Sequence, residues 1–144
     1  MKNIQPRRKI LQDAYVLFFY GSFQKSINQA IGGIVIDDPG GKQIQKRSIQ
    51  LRVGSNNEAE YSALYEGLRT CISLGIKRLV IKGDALLIVT QILGVWKTKH
   101  LHLKKWVNII KRLLGQFDAW TLQHVMRSQN AEAHDVAQDW LRNT

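Results

Sequence analysis

Glu60 has a residue type and a spacing that could support chemistry. It precedes Leu64, Leu68 and Ile72 at intervals of four, so a helix here would align its carboxylate with an apolar stripe. A carboxylate that points inward is costly unless a cation or a donor meets it. The spacing therefore favours a functional group. A structural alternative is that a helix N-terminus favours an anion.

Asp84 and Tyr20 come at the ends of two predicted strands. In open α/β sheets the reactive crevice lies at the carboxyl ends of the strands, so both positions are candidates for a site. Asp84 also has a structural interpretation, because as a helix N-cap it would contribute roughly 1 kcal/mol. Tyr20 ends the first predicted strand and offers a phenol at a position that could hold a third reactive group.

The last predicted helix carries His134 and Asp135 beside its core face, which consists of Ala133, Val136, Ala137 and Trp140. His134 lies next to that face, and Asp135 is turned about 100° further around the helix. A histidine can bind a metal or move a proton. A single histidine at a helix edge is, alternatively, a structural residue.

The elements that would position these groups form an α/β pattern. Apolar and alternating runs predict three strands joined by short connections, followed by strands that alternate with helices. The predicted strands cover residues 15–20, 30–36, 44–53, 78–82 and 119–125, and the predicted helices cover 58–74, 86–93, part of 97–114 and 130–141. The order β-β-β-α-β-α-α-β-α predicts a five-stranded mixed sheet, with three antiparallel strands first and helices on its faces.

The size and composition of the chain limit its class. Its 144 residues suffice for one domain, and 44% hydrophobic with 22% charged residues is typical of a globular chain. We expect a flexible basic arm over residues 1–13 and the domain over residues 14–144. No apolar run approaches the roughly 18 residues of a membrane-spanning helix. The single cysteine, Cys71, excludes an internal disulfide, and we expect an intracellular protein without a membrane partner.

The charge of the chain points to a polyanionic partner. Lysine and arginine total 21 against 11 acids, a net charge of +10, so nucleic acid is the first candidate and an anionic membrane surface the second. A plain basic protein is the alternative. Bases without any acid occupy residues 97–112, preceded by Trp96: Lys97, Lys99, Lys104, Lys105, Lys111 and Arg112. This composition is typical of nucleic-acid contacts, although Trp106 could instead belong to the core of an amphipathic helix.

Several short blocks, taken in order, resemble the compact ribonuclease H domain of plant and archaeal proteins and retroelements. They are Gly21-Ser22, residues 56–61 (Asn-Asn-Glu-Ala-Glu-Tyr), residues 75–79 with Gly83-Asp84, residues 91–96, and residues 127–133 (Arg-Ser-Gln-Asn-Ala-Glu-Ala). The resemblance covers about residues 15–141, and the order of strands and helices in that family is similar to the predicted one. It implies a ribonuclease H-like fold.

The resemblance also implies a chemistry. The family hydrolyses the RNA strand of RNA/DNA hybrids with four acids that hold two magnesium ions. Glu60 and Asp84 match two of these acids. The first-strand aspartate, which bridges the metals, falls on Tyr20, and the last acid falls on His134, with Asp135 one position late. Asn56 and Asn57 match polar groups that contact the minor groove of the hybrid.

Because neutral tyrosine supplies no anionic oxygen, we expect Glu60 and Asp84 to hold magnesium weakly and catalysis to be weak or lost. The leading hypothesis is a domain that binds RNA/DNA hybrid or structured RNA, within a larger assembly or alone, and needs no cofactor. The first alternative is an active ribonuclease H that uses magnesium or manganese with Glu60, Asp84, His134 and Asp135. The second is a protein-interaction scaffold in a ribonucleoprotein or a reverse-transcriptase-type assembly.

Overall fold

The computed structural model describes residues 11–143 and confirms the predicted order of elements. The strands are β1 (Tyr15–Gln24), β2 (Gln29–Asp37), β3 (Gln43–Leu51), β4 (Arg78–Gly83) and β5 (Ala119–His124). The helices are α1 (Asn56–Ser73), α2 (Leu86–Ile92), α3 (Leu101–Leu114) and α4 (Ala131–Arg142). Short 3₁₀ turns at Lys25–Ile27 and Arg127–Asn130 complete the described elements.

The strands form one mixed sheet in the order β3-β2-β1-β4-β5. β1, β2 and β3 are antiparallel neighbours, whereas β4 runs parallel to both β1 and β5. The carboxyl ends of β1, β4 and β5 therefore meet at one edge of the sheet. This is the α/β architecture that the sequence predicts.

The side chains of β1 alternate between two cores, as the pleat of a strand requires. Leu17 and Phe19 are fully buried in the larger core, which lies under α1 and α3. Tyr20 points to the opposite face and packs in a smaller cluster with Ile31, Val35 and two alanines of α4. The sheet is thus covered on both faces.

Two glycines allow the helices to approach the sheet backbone directly. A Cβ atom on Gly21 would lie 2.1 Å from the carbonyl oxygen of Ala59 in α1. A Cβ atom on Gly33 would lie 2.1 Å from the carbonyl oxygen of Ala133 in α4. Because such distances are far below van der Waals contact, any side chain at either position would push a helix away.

The prediction that the first strand ends at Tyr20 is wrong, because β1 continues to Gln24. The antiparallel pairing with β2 runs through Gln24, but the parallel pairing with β4 stops at Phe19 opposite Gly83. Tyr20 is therefore the first residue of β1 beyond β4, and it still lies at the edge where the crevice opens. Similarly, the third strand ends at Leu51, two residues before its predicted end.

The predicted basic arm, residues 1–13, falls mostly outside the described residues, which begin at Leu11. The carbonyl oxygen of Gln12 accepts a hydrogen bond of 3.0 Å from Nε of Arg78, at the start of β4. This contact fixes residue 12 to the domain. Between residues 11 and 143, no helix has the length and apolar character that crossing a bilayer requires.

Candidate functional site

A cleft of about 380 Å³ opens at the carboxyl ends of β1 and β4. Its walls come from four segments: residues 20–22 of β1, Asn56, Asn57 and Glu60 in the first turns of α1, residues 85–87 at the start of α2, and Arg127 after β5. The cleft lies at the sheet edge where the predicted crevice would be. It brings Tyr20 and Glu60 together.

Glu60 points towards the sheet, as its spacing predicts, and a backbone donor meets it. The amide of Gly21 donates a hydrogen bond of 3.0 Å to Oε1 of Glu60, a contact made possible by the close approach of α1 at this glycine. Burial raises the pKa of Glu60 to about 8; the charge of Asp84 also raises it, while the Gly21 amide and Arg127 act in the opposite direction. A protonated carboxyl group is therefore a substantial species here near neutral pH.

Asp84 forms an ion pair rather than a helix cap. Its side chain is only 4% exposed, and Oδ2 lies 2.5 Å from Nε of Arg127. The N-cap position of α2 belongs to Ala85, which makes no side-chain capping hydrogen bond. The N-cap interpretation of Asp84 is thus wrong, because the carboxylate turns towards the guanidinium that follows β5. The same pairing raises the pKa of Arg127.

Tyr20 is 7% exposed, and its ring contacts two polar side chains, Arg127 and His134. The guanidinium carbon of Arg127 is 5.5 Å from the ring centroid, within the range of a cation–π contact. The ring of His134 makes an edge contact at a centroid distance of 4.8 Å. The aromatic ring therefore fills space where the resemblance implies a carboxylate.

The structure places His134 beside Tyr20 but turns Asp135 outward. The Asp135 side chain is 75% exposed, and its Oδ1 lies 3.4 Å from Nδ1 of His134. Among residues 11–143, no three His, Cys, Asp or Glu side chains are grouped so that they could hold a metal ion. Glu60 lines the cleft, whereas Asp84 lies beside it and is already paired with Arg127. These donors do not fit a centre of two magnesium ions, which needs several carboxylates.

Arg127 is the cleft residue that the sequence reasoning missed. It stands at the start of the block 127–133, where it was counted only as part of a motif. No local sequence pattern indicates this role, because it depends on which strands are neighbours in space. Because β5 lies next to β4 in the sheet, the residue that follows β5 can reach the aspartate that follows β4.

The two asparagines of α1 differ in their surroundings. Oδ1 of Asn56 accepts a hydrogen bond of 2.7 Å from the amide of Phe23, so Asn56 connects the start of α1 to β1. Asn57 is exposed at the cleft. Asn57 is thus free of the positioning contact that Asn56 makes, and a nucleic-acid role for either residue stays a prediction.

The predicted basic segment is solvent-exposed. Trp96 is 48% exposed between α2 and α3, and its neighbours Lys97 and Lys99, like Lys104 and Lys105 on α3, are exposed. By contrast, Trp106 is partly buried and stacks on Tyr61 at a centroid distance of 6.3 Å. The core interpretation of Trp106 is confirmed. The structure leaves Trp96 and the four lysines accessible to a polyanion.

Comparisons with known proteins agree with this architecture. The profile of the family described as reverse transcriptase-like matches residues 18–140. The uncharacterized protein YpeP of Bacillus subtilis is 34% identical over 134 residues, which cover 90% of this chain and 59% of that protein. The chain spans less than two thirds of the length of YpeP and of ribonuclease HI from Halobacterium salinarum.

Solved structures give the same result. RNase H1 from the halophilic archaeon Halobacterium salinarum has a TM-score of 0.87 with 27% identity over 91% of this chain and 99% of that one. LC11-RNase H1, isolated from compost and solved in complex with an RNA/DNA hybrid, has a TM-score of 0.79 with 25% identity over 87% of this chain and 94% of that one. The chain belongs to the reverse transcriptase-like family and has the ribonuclease H fold.

Proposed function

We propose that this chain is a ribonuclease H-like domain that binds RNA/DNA hybrid or structured RNA and has weak or no hydrolytic activity. The observation that carries the proposal is the buried ring of Tyr20, which contacts Arg127 and His134 just beyond the pairing with β4. A neutral phenol offers no anionic oxygen to bridge two cations. The two cleft acids then cannot gather the ions that activate water and stabilise a leaving oxygen.

Nucleic-acid binding depends on other residues than the ones that would hold metal ions. The chain carries a net charge of +10, and exposed lysines flank Trp96 and continue along α3. Lysines neutralise backbone phosphates, while an exposed indole offers a surface on which a base or sugar can stack. The similar LC11-RNase H1 in complex with a hybrid supports the same class of partner for this chain.

A cleavage assay tests the catalytic part. We expect the protein to leave a labelled RNA/DNA hybrid intact with magnesium or manganese, since the donor set lacks the shared ligand. Tyr20→Asp should raise cleavage from near zero, because it adds a carboxylate to the cleft that Glu60 lines, next to the pair of Asp84 and Arg127. Tyr20→Phe is the matched control, which keeps the ring and should stay inactive. Efficient cleavage by the unmodified protein would sink the proposed loss of catalysis.

An active ribonuclease H is the second candidate, and the position of two family-type acids, Glu60 and Asp84, around one cleft favours it. Under this alternative, Glu60→Gln abolishes a cleavage that the unmodified protein already performs. Magnesium or manganese would be the cofactor only in this case. The same assay therefore separates the two candidates.

The third possibility, an interaction scaffold for an acidic protein, is distinguished by specificity. A ribonuclease H-like binding domain should prefer hybrid to heparin at equal salt concentration, because A-form shape and 2′-hydroxyl groups are recognised in addition to charge. Equal affinities would favour the scaffold. Membership of a larger assembly and an intracellular location remain predictions.

A further inference from the structure

Arg127 already occupies the charge-balancing position in the cleft. Its Nε lies 2.5 Å from Oδ2 of Asp84, whose side chain is 4% exposed. Its guanidinium also lies 5.5 Å from the Tyr20 ring centroid. The acid and the ring thus both contact the cationic group. The Arg127 side chain is nevertheless 66% exposed and lines the open cleft.

The geometry leaves most of the guanidinium available to a ligand. A guanidinium carries five N–H donors in a planar fork, and the contact with Asp84 is made by the donor on Nε. A planar group with several donors matches the geometry of a phosphate. Because Asp84 and Tyr20 restrict its position in advance, less conformational freedom is lost when it binds an anion.

We infer that Arg127 replaces the divalent ions in this cleft, as a cation supplied by the chain itself that neutralises Asp84 and holds a backbone phosphate of the bound strand without metal. The inference rests on the proposed binding of nucleic acid for its second half only. Its first half concerns Asp84 and Arg127 alone. The site would then bind a phosphodiester in a manner that chelators do not affect.

A metal titration tests the first half without nucleic acid. Mn²⁺ binding, followed by the electron paramagnetic resonance signal of the free ion, should be about tenfold tighter for Arg127→Ala than for the unmodified protein, because the substitution frees a shielded carboxylate. The double variant Arg127→Ala/Asp84→Asn should lose this gain. Equal Mn²⁺ binding by the unmodified protein and Arg127→Ala would overturn the replacement of the metal.

A binding titration tests the second half. The anisotropy of a fluorescein-labelled RNA/DNA hybrid should give the same affinity in EDTA and in magnesium at matched ionic strength. Arg127→Ala should weaken binding about tenfold, which is typical of a lost charge-assisted hydrogen bond, and should lower the slope of log K against log salt by about one. Circular dichroism checks that the variant is folded.

Arg142→Ala is the matched control, since Arg142 is also an exposed arginine in an ion pair, with Asp139 near the end of α4. Its affinity for the hybrid should stay unchanged. A loss equal to that of Arg127→Ala, or binding that requires magnesium, would contradict the phosphate contact. If no protein binds hybrid while Arg127→Ala still gains Mn²⁺, the proposed function fails and the replacement of the metal stands.

Discussion

Two regions of the molecule differ in how strictly they limit the residue type. One is the set of contacts that pack the helices onto the sheet, and the other is the polar cleft. Gly21 and Gly33 have helix carbonyl oxygens so close that a Cβ atom would lie 2.1 Å from each. At the cleft, by contrast, the ring of Tyr20 contacts Arg127 on one element and His134 on another through side chains alone. The difference teaches that the fold is held by backbone approach and apolar burial, so the chemistry of the cleft can change without loss of the fold.

The largest expected effect comes from a substitution where a helix packs directly against the sheet. Gly33→Ala should destabilise the protein by about 3 kcal/mol or more, because the new methyl group meets the Ala133 carbonyl and α4 must move. Thermal unfolding measures the loss. Gly54→Ala is the control, since a Cβ atom there has nothing within 4 Å, and it should change the stability by less than about 1 kcal/mol. Equal effects would show that the close approach is unimportant.

The second effect comes from a substitution in the cleft. Tyr20→Asp should lower the stability by about 2–4 kcal/mol, because an aromatic ring that packs against Ile31 and Val35 is replaced by a carboxyl group. Magnesium should restore part of this loss by binding the folded state. Calorimetry with and without magnesium measures both effects. If magnesium does not change the melting temperature of Tyr20→Asp, the variant has not regained a metal site.

Glu60 gives a smaller, pH-dependent effect. Its pKa rises from the ordinary 4.5 to about 8 in the folded protein, so the folded state retains a proton that the unfolded chain releases. Stability from this group is fully present below about pH 4.5 and is lost as the pH rises towards about 8. Glu60→Gln should therefore raise the melting temperature at pH 8 by roughly 5 °C and leave it nearly unchanged at pH 4.

Glu66→Gln removes the same charge from the exposed side of the same helix. It should give no comparable difference between the two pH values. If Glu60→Gln stabilises the protein equally at pH 4 and pH 8, the proton is not the cause.

The smallest effects concern the basic segment. Replacing Lys104 or Lys105 by alanine should lower the salt slope of hybrid binding by about one each, and Trp96→Ala should weaken binding about tenfold by removing a stacking surface. Lys77→Ala is the control, because this exposed lysine precedes β4 at the sheet edge opposite to the cleft. The losses of binding free energy from the substitutions at Lys104, Lys105 and Trp96 should be additive, which a triple variant can check. A loss for Lys77→Ala as large as for Lys104→Ala would indicate unspecific attraction.

Local pattern determined much of this protein. Alternation and helical spacing predicted the five strands and the inward direction of Glu60, because burial on one face leaves a periodic trace in the sequence. The extent of β1 beyond Tyr20 left no such trace, since it depends on pairing with β2. Gly21 lies within that stretch, and a glycine after an apolar run is typical of the end of a strand.

Only the tertiary structure decided how the cleft groups pair. Asp84 and Arg127 are 43 residues apart, and their contact exists because β5 lies beside β4 in the sheet. The sequence offered two interpretations of Asp84, a site residue and a helix cap, but it could not identify Arg127 as the partner of Asp84, because only the cap is a local interaction. Residue type and spacing fix which groups face the interior, whereas the neighbour that each group meets follows from the order of strands in space.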